Sequence, residues 1–271
     1  MKDNLAIIGA GVIGGAITKC LLKSDYEGKI TATRRTVEKL KELQNMGATV
    51  TRDNRKATKD SDIIFLCVKP HSVKKVLDEI EEEIDGKLVI STAAILPLKF
   101  YKGMVPKAYF IRTMPNIAIL VQESFTAYCC DEGVSREHRE KCEELLNLMG
   151  TCKEVEEKHM DAVTALSGSG PGYLSVIMEA MVYAGLKVGL PRDLSLYSSA
   201  QTILGTGKLA LQSEVDITNI KDMVTTPGGT TIEAIYHLEA SQIRHTLMKA
   251  VEEATKKSEN IRKNWGSSLK K

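Results

Sequence analysis

The chain has 271 residues, of which 43% are hydrophobic, and its formal net charge at pH 7 is +2. This length suits one large domain or two modest ones, and the hydrophobic share is enough for a packed core. A charge so close to zero, with no basic block, argues against bulk electrostatic binding to nucleic acid.

Cysteine usage and the N-terminus bear on the compartment. None of the 6 cysteines belongs to a C-x-x-C pair, so no metal site is predicted. No export signal precedes the first apolar segment, and no apolar run is long enough to span a membrane. We therefore expect free thiols and a cytoplasmic protein.

The N-terminal segment predicts a dinucleotide-binding turn. Residues 5–8 form an apolar strand-like run, and apolar residues recur at helical spacing from 16 to 21. Between them, Gly9 permits a tight turn, Gly11 lets a pyrophosphate approach, and Gly14 lets the helix pack on the strand. The predicted cofactor-binding residues of this turn are Ile8, Gly9, Ala10, Gly11, Val12, Ile13 and Gly14.

The end of the second predicted strand, residues 29–33, bears on cofactor choice. An NAD-dependent enzyme usually carries an acidic residue there to hold the ribose hydroxyls. This chain instead has Thr33, Arg34 and Arg35, whose hydroxyl and guanidinium groups fit a 2′-phosphate. The alternative is two solvated arginines at a helix start, a poor place for cations. We expect NADPH or NADP, with NADH bound more weakly.

Alternating strands and helices continue to about residue 156. Helices are predicted over 37–46 and 136–149, and strands over 48–51, 62–68, 88–91, 109–112, 125–130 and 152–155. This alternation predicts a Rossmann-like, doubly wound α/β domain over residues 1–156. His71 follows a proline at a predicted helix start, which favours a capping or cofactor contact over proton transfer. Small residues after the strand at 88–91 leave room for a ligand.

Residues 157–271 predict a second domain that is all α-helical. Helices are predicted over 173–188, 194–211 and 243–254. The first is apolar nearly all round, so it must be buried on every side. Because a small helical domain can scarcely achieve this alone, we expect a dimerisation domain and a homo-oligomer.

A Pro-Gly-Gly-Thr-Thr turn precedes a helix expected near Ile232. Thr230 or Thr231 is predicted to cap that helix. Free N–H groups and the positive end of the helix dipole suit a small anion such as a carboxylate. The alternative is a capped helix with no ligand.

Segments at 166–173, 185–191 and 226–231 together resemble the pyrroline-5-carboxylate reductase family. Their sequences are Leu-Ser-Gly-Ser-Gly-Pro-Gly-Tyr, Gly-Leu-Lys-Val-Gly-Leu-Pro and Thr-Pro-Gly-Gly-Thr-Thr. The resemblance implies NADPH-dependent reduction of the C=N bond of 1-pyrroline-5-carboxylate to L-proline, the last step of proline biosynthesis. It also implies that the substrate carboxylate lies against Gly228, Gly229, Thr230 and Thr231.

The resemblance assigns further roles. Asn54 matches a position near the adenosine, and Thr231 one near the imine nitrogen. Glu157 matches a position close to the product amine, although from the residues alone it belongs to an exposed-looking charge run. Ser169 would help form the substrate wall. The remaining cofactor contacts implied are Val68, Lys69, Pro70, Thr92, Ala93 and Ala94, and the contact predicted above for His71 lies beside them in the sequence.

The chain also departs from the family pattern. Ile95 stands where a glycine is usual, which puts the shape of that loop in doubt, and Met223 stands where some members carry asparagine. Val12 and Ile13 replace the commoner Asn-Met, and we expect the turn to stay intact. Two alternatives stay open: a reductase of another cyclic imine or a keto acid, and a non-catalytic dinucleotide-sensing protein.

Overall fold

The protein folds into two compact units. In the computed structural model, residues 2–24, 26–212 and 216–268 are described. The first unit comprises Met1–Ser169 with Ala254–Lys271, and the second comprises Gly170–Glu253. This division differs from the expected one at residue 156 in two ways: the first unit extends to Ser169, and the chain returns to it from Ala254. The domain bounds 1–156 and 157–271 stay a prediction.

The first unit is built on an eight-stranded sheet with the order β3-β2-β1-β4-β5-β6-β7-β8. Neighbouring strands are parallel except β6 and β7, which are antiparallel. The strands are β1 (Leu5–Ile8), β2 (Ile30–Thr33), β3 (Thr49–Thr51), β4 (Ile63–Leu66), β5 (Leu88–Ser91), β6 (Tyr109–Met114), β7 (Ser124–Cys130) and β8 (Gly150–Glu154). The predicted doubly wound α/β fold is therefore confirmed.

Helices cover both faces of this sheet. They are α1 (Val12–Lys23), α2 (Lys41–Asn45), α3 (Asn54–Lys59), α4 (Pro70–Ile80), α5 (Leu98–Met104), α6 (Arg136–Asn147) and α7 (Met160–Val163). Alternate residues of β1 enter opposite cores, Leu5 and Ile7 on one side and Ala6 and Ile8 on the other. Burial on both faces explains why the central strands are continuous apolar runs.

The second unit is helical. Its helices are α8 (Gly170–Lys187), α9 (Arg192–Gln212), α10 (Ile217–Met223) and α11 (Thr230–Ala240), and α12 (Ile243–Ser268) begins in it. The described residues beyond Glu154 contain no strand, as expected. Among the helices that the structure describes, none has the length and apolarity needed to cross a membrane.

The C-terminal part of α12 belongs to the first unit, and buried polar contacts hold it there. The Asp161 side chain is 7% exposed. It accepts a 2.7 Å hydrogen bond from the Ser258 hydroxyl and another of 2.7 Å from Arg262 Nε. Trp265 packs against the core on the same side of the sheet as Met160. The helix thus continues beyond Ala254, the last of the apolar positions from which it is predicted.

Candidate functional site

The glycine turn after β1 has the geometry that a dinucleotide needs. Gly9 has φ of +92°, and a Cβ there would lie 2.6 Å from Val68 Cγ1. A Cβ on Gly14 would lie 2.6 Å from the Gly9 carbonyl oxygen, so a larger residue would push α1 away from β1. A Cβ on Gly11 would meet nothing nearer than 4.0 Å, which leaves its backbone open on one side.

The start of α1 can hold an anion. Its N-cap residue is Gly11, which offers no side chain to the first-turn N–H groups, and the first turn contains no acidic residue. Val12 is exposed beside these groups. Backbone donors without a side-chain cap at a helix N-terminus suit a pyrophosphate. This part of the chain therefore fits the phosphates of a dinucleotide.

Thr33, at the end of β2, connects the glycine turn to Asn54. Its hydroxyl accepts a hydrogen bond from the Gly9 amide at 3.2 Å and donates one to Asn54 Oδ1 at 2.7 Å. Asn54 Nδ2 donates in turn to Glu79 Oε2 at 3.0 Å. The structure thus brings together three predicted cofactor residues, Gly9, Thr33 and Asn54, and it adds Glu79, which sequence reasoning missed.

Arg34 and Arg35 differ in their surroundings. Arg34 is half-buried, and its Nη1 donates to the Ala10 carbonyl oxygen at 3.3 Å, which places its guanidinium beside the glycine turn. Arg35 is exposed. The Arg34 guanidinium lies at the turn and that of Arg35 is exposed at the surface beside it in the sequence. Two positive groups so placed fit a phosphate on the ribose.

The turn after β4 lies next to the glycine turn, with the Val68 side chain beside Gly9. The N-cap of α4 is Lys69, and Pro70 is the first helical residue, as proline prefers. His71 therefore lies inside the helix, and the prediction that it caps α4 is wrong. Its exposed position leaves the cofactor contact as a prediction. Burial raises the pKa of the neighbouring Cys67 thiol to about 12, so this thiol stays protonated at neutral pH.

The segment from the end of β5 to the first residue of α5, residues 92–98, is termed the 92–98 loop, and it contains a left-handed residue although it has no glycine. Ile95 has φ of +68°, in the left-handed region that β-branched residues rarely adopt. The Thr92 amide donates to the Leu66 carbonyl oxygen at 3.1 Å, and the Ala93 amide to Ser91 Oγ at 3.2 Å. The chain thus adopts a left-handed conformation at residue 95 with isoleucine where the family usually has glycine.

Glu157 contacts this loop and a buried arginine. Its Oε1 accepts hydrogen bonds from the Leu98 amide at 2.7 Å and from Arg112 Nη1 at 3.2 Å. The Arg112 side chain is only 3% exposed. The interpretation of Glu157 as a member of a solvated charge run is wrong, although Glu156, paired with exposed Lys158, fits it. The expected role of Glu157 at the product amine stays a prediction.

The Ser-Gly-Ser-Gly segment begins in a π-helical turn, Thr164–Gly168, between α7 and α8. Such turns are common at functional sites. Asn116 Nδ2, after β6, donates to the Ser167 carbonyl oxygen at 3.2 Å and to its hydroxyl at 3.3 Å. Ser169 closes the turn and is exposed, with its amide donating to the Thr164 carbonyl oxygen at 3.0 Å.

In the second unit, the Pro-Gly-Gly-Thr-Thr turn leads directly into α11. The helix begins at Thr230 and its N-cap is Gly229, so the predicted capping role of Thr230 or Thr231 is wrong. Gly228 has φ of +69°, and a Cβ on Gly229 would lie 2.4 Å from Thr226 Oγ1. Both glycines are therefore required, and no side chain occupies the first-turn N–H groups. Thr231 is half-buried in that turn.

The apolar faces of α8 are largely uncovered within one chain. Val176 is 66% exposed and Tyr183 54%, and Val182 is the buried residue of this helix. An exposed apolar surface of this extent is typical of a protein interface. Among the described residues, no group of three metal-ligating side chains is found.

A glycine turn at the first strand of a doubly wound sheet, joined to a helical unit, is the organisation of a dinucleotide-dependent oxidoreductase. Residues 157–261 match the family model for pyrroline-5-carboxylate reductase dimerisation, and residues 4–95 match that for NADP oxidoreductase, coenzyme F420-dependent. A pyrroline-5-carboxylate reductase from Methanosarcina acetivorans is 37% identical over 267 residues, covering 97% of this chain and 99% of that protein. This chain belongs to the pyrroline-5-carboxylate reductase family.

Solved structures agree with this membership. A pyrroline-5-carboxylate reductase from Coxiella burnetii superposes with a TM-score of 0.91 and is 30% identical, covering 96% of this chain and 98% of that chain. The Plasmodium falciparum pyrroline carboxylate reductase with NADP bound gives a TM-score of 0.85 at 30% identity, with the same coverage.

Proposed function

We propose that this protein reduces 1-pyrroline-5-carboxylate to L-proline with NADPH, the last step of proline biosynthesis. The observation that carries the proposal is the turn at 226–231. Gly228 has a positive φ and Gly229 has no room for a Cβ, and no side chain caps the first turn of α11, so N–H groups there are open to a small anion. A substrate carboxylate satisfies both the charge and the size of that site.

NADPH is the proposed cofactor, with NADH as a weaker one. The pyrophosphate would be held by the backbone of Gly9–Gly14, together with Ile8, Ala10, Val12 and Ile13. Thr33, Arg34 and Arg35 would bind the ribose phosphate, and Asn54 the adenosine. The contacts proposed for the nicotinamide end are Val68, Lys69, Pro70, His71, Thr92, Ala93 and Ala94.

When bound, the cofactor supplies the hydride that adds to the imine carbon. The chain's own contribution is placement and charge. N–H groups at Gly228, Thr230 and Thr231 bind the carboxylate, while the Gly229 amide donates to the Thr226 carbonyl oxygen at 3.0 Å and closes the turn. Ser169 forms part of the substrate wall. The Thr231 hydroxyl donates a hydrogen bond to the imine nitrogen and supplies or relays its proton.

A homodimer, or a multiple of one, is proposed as the working form. The match to a dimerisation family over 157–261 and the exposed apolar faces of α8 support it. The proposed compartment is the cytoplasm, since the thiols of the described residues are free.

NADPH oxidation tests the substrate. Purified protein should oxidise NADPH with pyrroline-5-carboxylate much faster than with pyrroline-2-carboxylate or pyruvate. A preference for either of the other two compounds would refute the substrate assignment, and NADPH binding without turnover on all three would indicate a sensor.

A Thr231→Val variant tests the proton step. Because Gly229 is the N-cap, loss of the Thr231 hydroxyl should leave thermal stability nearly unchanged. The single-turnover rate should fall by ~10²-fold or more if the hydroxyl is a general acid. A normal hydride-transfer rate would remove Thr231 from the mechanism. Thr231→Ser, which keeps a hydroxyl, is the matched control and should keep most of the single-turnover rate.

A further inference from the structure

The loop at 92–98 is anchored at both ends. At its start, the Ala93 amide bonds to Ser91 Oγ, which is itself 2.7 Å from the Tyr101 hydroxyl. At its end, the Leu98 amide bonds to Glu157 Oε1. Pro97 precedes this amide and has no side-chain group that could cap α5. A carboxylate 59 residues further along the chain provides that cap.

Between the two anchors lies the left-handed Ile95. A β-branched residue at φ of +68° is under backbone strain, and such strain persists only where the surroundings hold it. Without an anchor, the loop would relax towards an ordinary backbone conformation. Residues 92–94, which we assign to the nicotinamide end of the cofactor, would move with it.

The anchor is itself fixed by a buried charge. Arg112 projects from β6, and its side chain is 3% exposed, whereas that of Glu157 is 36% exposed. The single oxygen Oε1 takes both the Arg112 and the Leu98 hydrogen bonds. Because the guanidinium is held inside the unit, its pairing with Glu157 fixes the carboxylate at the end of the loop.

We infer that Glu157 is a positioning residue, which acts through the Leu98 amide to hold the strained 92–98 loop in the shape that receives the nicotinamide. Arg112 is its partner in this role. In this role Glu157 acts on the 92–98 loop of the first unit, and not at the product amine as the family resemblance implies. The kinetic consequence rests on the proposed function, whereas the effect on the loop does not.

Backbone hydrogen exchange and NADPH titration on the full-length protein test the inference. In Glu157→Ala, amides of the 92–98 loop should exchange faster and NADPH should bind more weakly. The kcat should fall by ~10-fold or more, as expected for a misplaced reactant, with the KM for pyrroline-5-carboxylate within about twofold of wild type. Glu157→Gln retains an acceptor oxygen for Leu98, so most of the amide protection and of the kcat should return.

Two further variants make the experiment decisive. Glu156→Ala removes the neighbouring exposed carboxylate and should change none of these quantities. Removal of Glu157 alone leaves a buried unpaired charge, which is strongly destabilising. If that variant does not fold, the double variant Arg112→Met, Glu157→Ala removes the charge as well and should show the same loosened loop.

Unchanged exchange with a raised KM for the imine, not restored by Gln, would mean that Glu157 touches substrate and would overturn the inference. Unchanged exchange and unchanged kinetics would overturn it too. If the wild-type protein does not reduce pyrroline-5-carboxylate, the proposed function fails, and hydrogen exchange and NADPH binding still decide whether Glu157 holds the loop.

Discussion

Ile95 provides a direct test of the backbone geometry at the candidate site. Glycine adopts positive φ at no steric cost, whereas a residue with a Cβ in the left-handed region pays ~1–2 kcal/mol. Ile95 has φ of +68°. Ile95→Ala keeps this penalty and Ile95→Gly removes it, so the difference between the two variants isolates the strain from the loss of the isoleucine side chain.

The expected order of stability is the reverse of the usual one. At an ordinary position alanine is more stable than glycine by ~0.4–1 kcal/mol, because glycine has more freedom in the unfolded chain. At residue 95 the strain energy is larger than this entropic term. The free energy of unfolding of Ile95→Gly should therefore be about 1 kcal/mol higher than that of Ile95→Ala. Lys99, which is exposed in α5, provides the matched control pair: Lys99→Ala should be more stable than Lys99→Gly.

Urea unfolding at one fixed protein concentration measures the difference, because a dimer's apparent stability depends on concentration. The slopes of the transitions should agree among variants, so that the midpoints report stability. If Ile95→Ala proves as stable as Ile95→Gly while the Lys99 pair behaves normally, residue 95 is not held in the left-handed conformation, and the anchored-loop reasoning is wrong.

Three further predictions concern the cofactor, the assembly and pH. The double variant Arg34→Ala, Arg35→Ala should bind NADPH roughly ten- to a hundredfold more weakly with NADH affinity nearly unchanged, and equal loss for both in fluorescence titration would contradict the phosphate assignment. Val176→Asp places a charge on the exposed apolar face of α8 and should yield monomers in light scattering, whereas Gln44→Asp on the first unit should not. Burial lowers the pKa of His138, so its protonation opposes folding. The free energy of unfolding should be unaffected by His138 above about pH 6.5 and should decrease as the pH falls below it, because the unfolded chain then binds the proton more readily. In His138→Gln, urea midpoints measured across pH should show a smaller decrease.

The sheet and the glycine turn are predictable from the sequence because their signals are local. Buried central strands must be apolar, and the spacing of Gly9, Gly11 and Gly14 reflects contacts among the turn, β1 and β4. The bounds of helices were less accurate. Threonines are good caps by preference, but the two glycines of the turn place the N-cap at Gly229 instead.

Contacts between residues distant in sequence were beyond prediction. Nothing in the charged run around Glu157 indicates that Arg112 is buried beside it, because a strand pattern shows which face a residue takes but not its partner. In the sequence Glu79 is likewise not distinguishable from other polar residues of α4, and only the folded structure shows its hydrogen bond with Asn54. Asp161 and Arg262 are 101 residues apart, and no pattern in the sequence indicates that they form a pair.

The return of α12 to the first unit has a consequence for the order of folding during synthesis. Asp161 is buried in a site whose hydroxyl and guanidinium donors come from Ser258 and Arg262. Until those residues leave the ribosome, a carboxylate in an otherwise finished unit has no partners, and burying it would be costly. The N-terminal unit therefore cannot reach its final form before the helical unit has been synthesised, although N-terminal domains commonly fold first. Completion of the sheet unit is coupled to completion of the whole chain, and a nascent chain stalled within the second unit should remain susceptible to protease around residue 161.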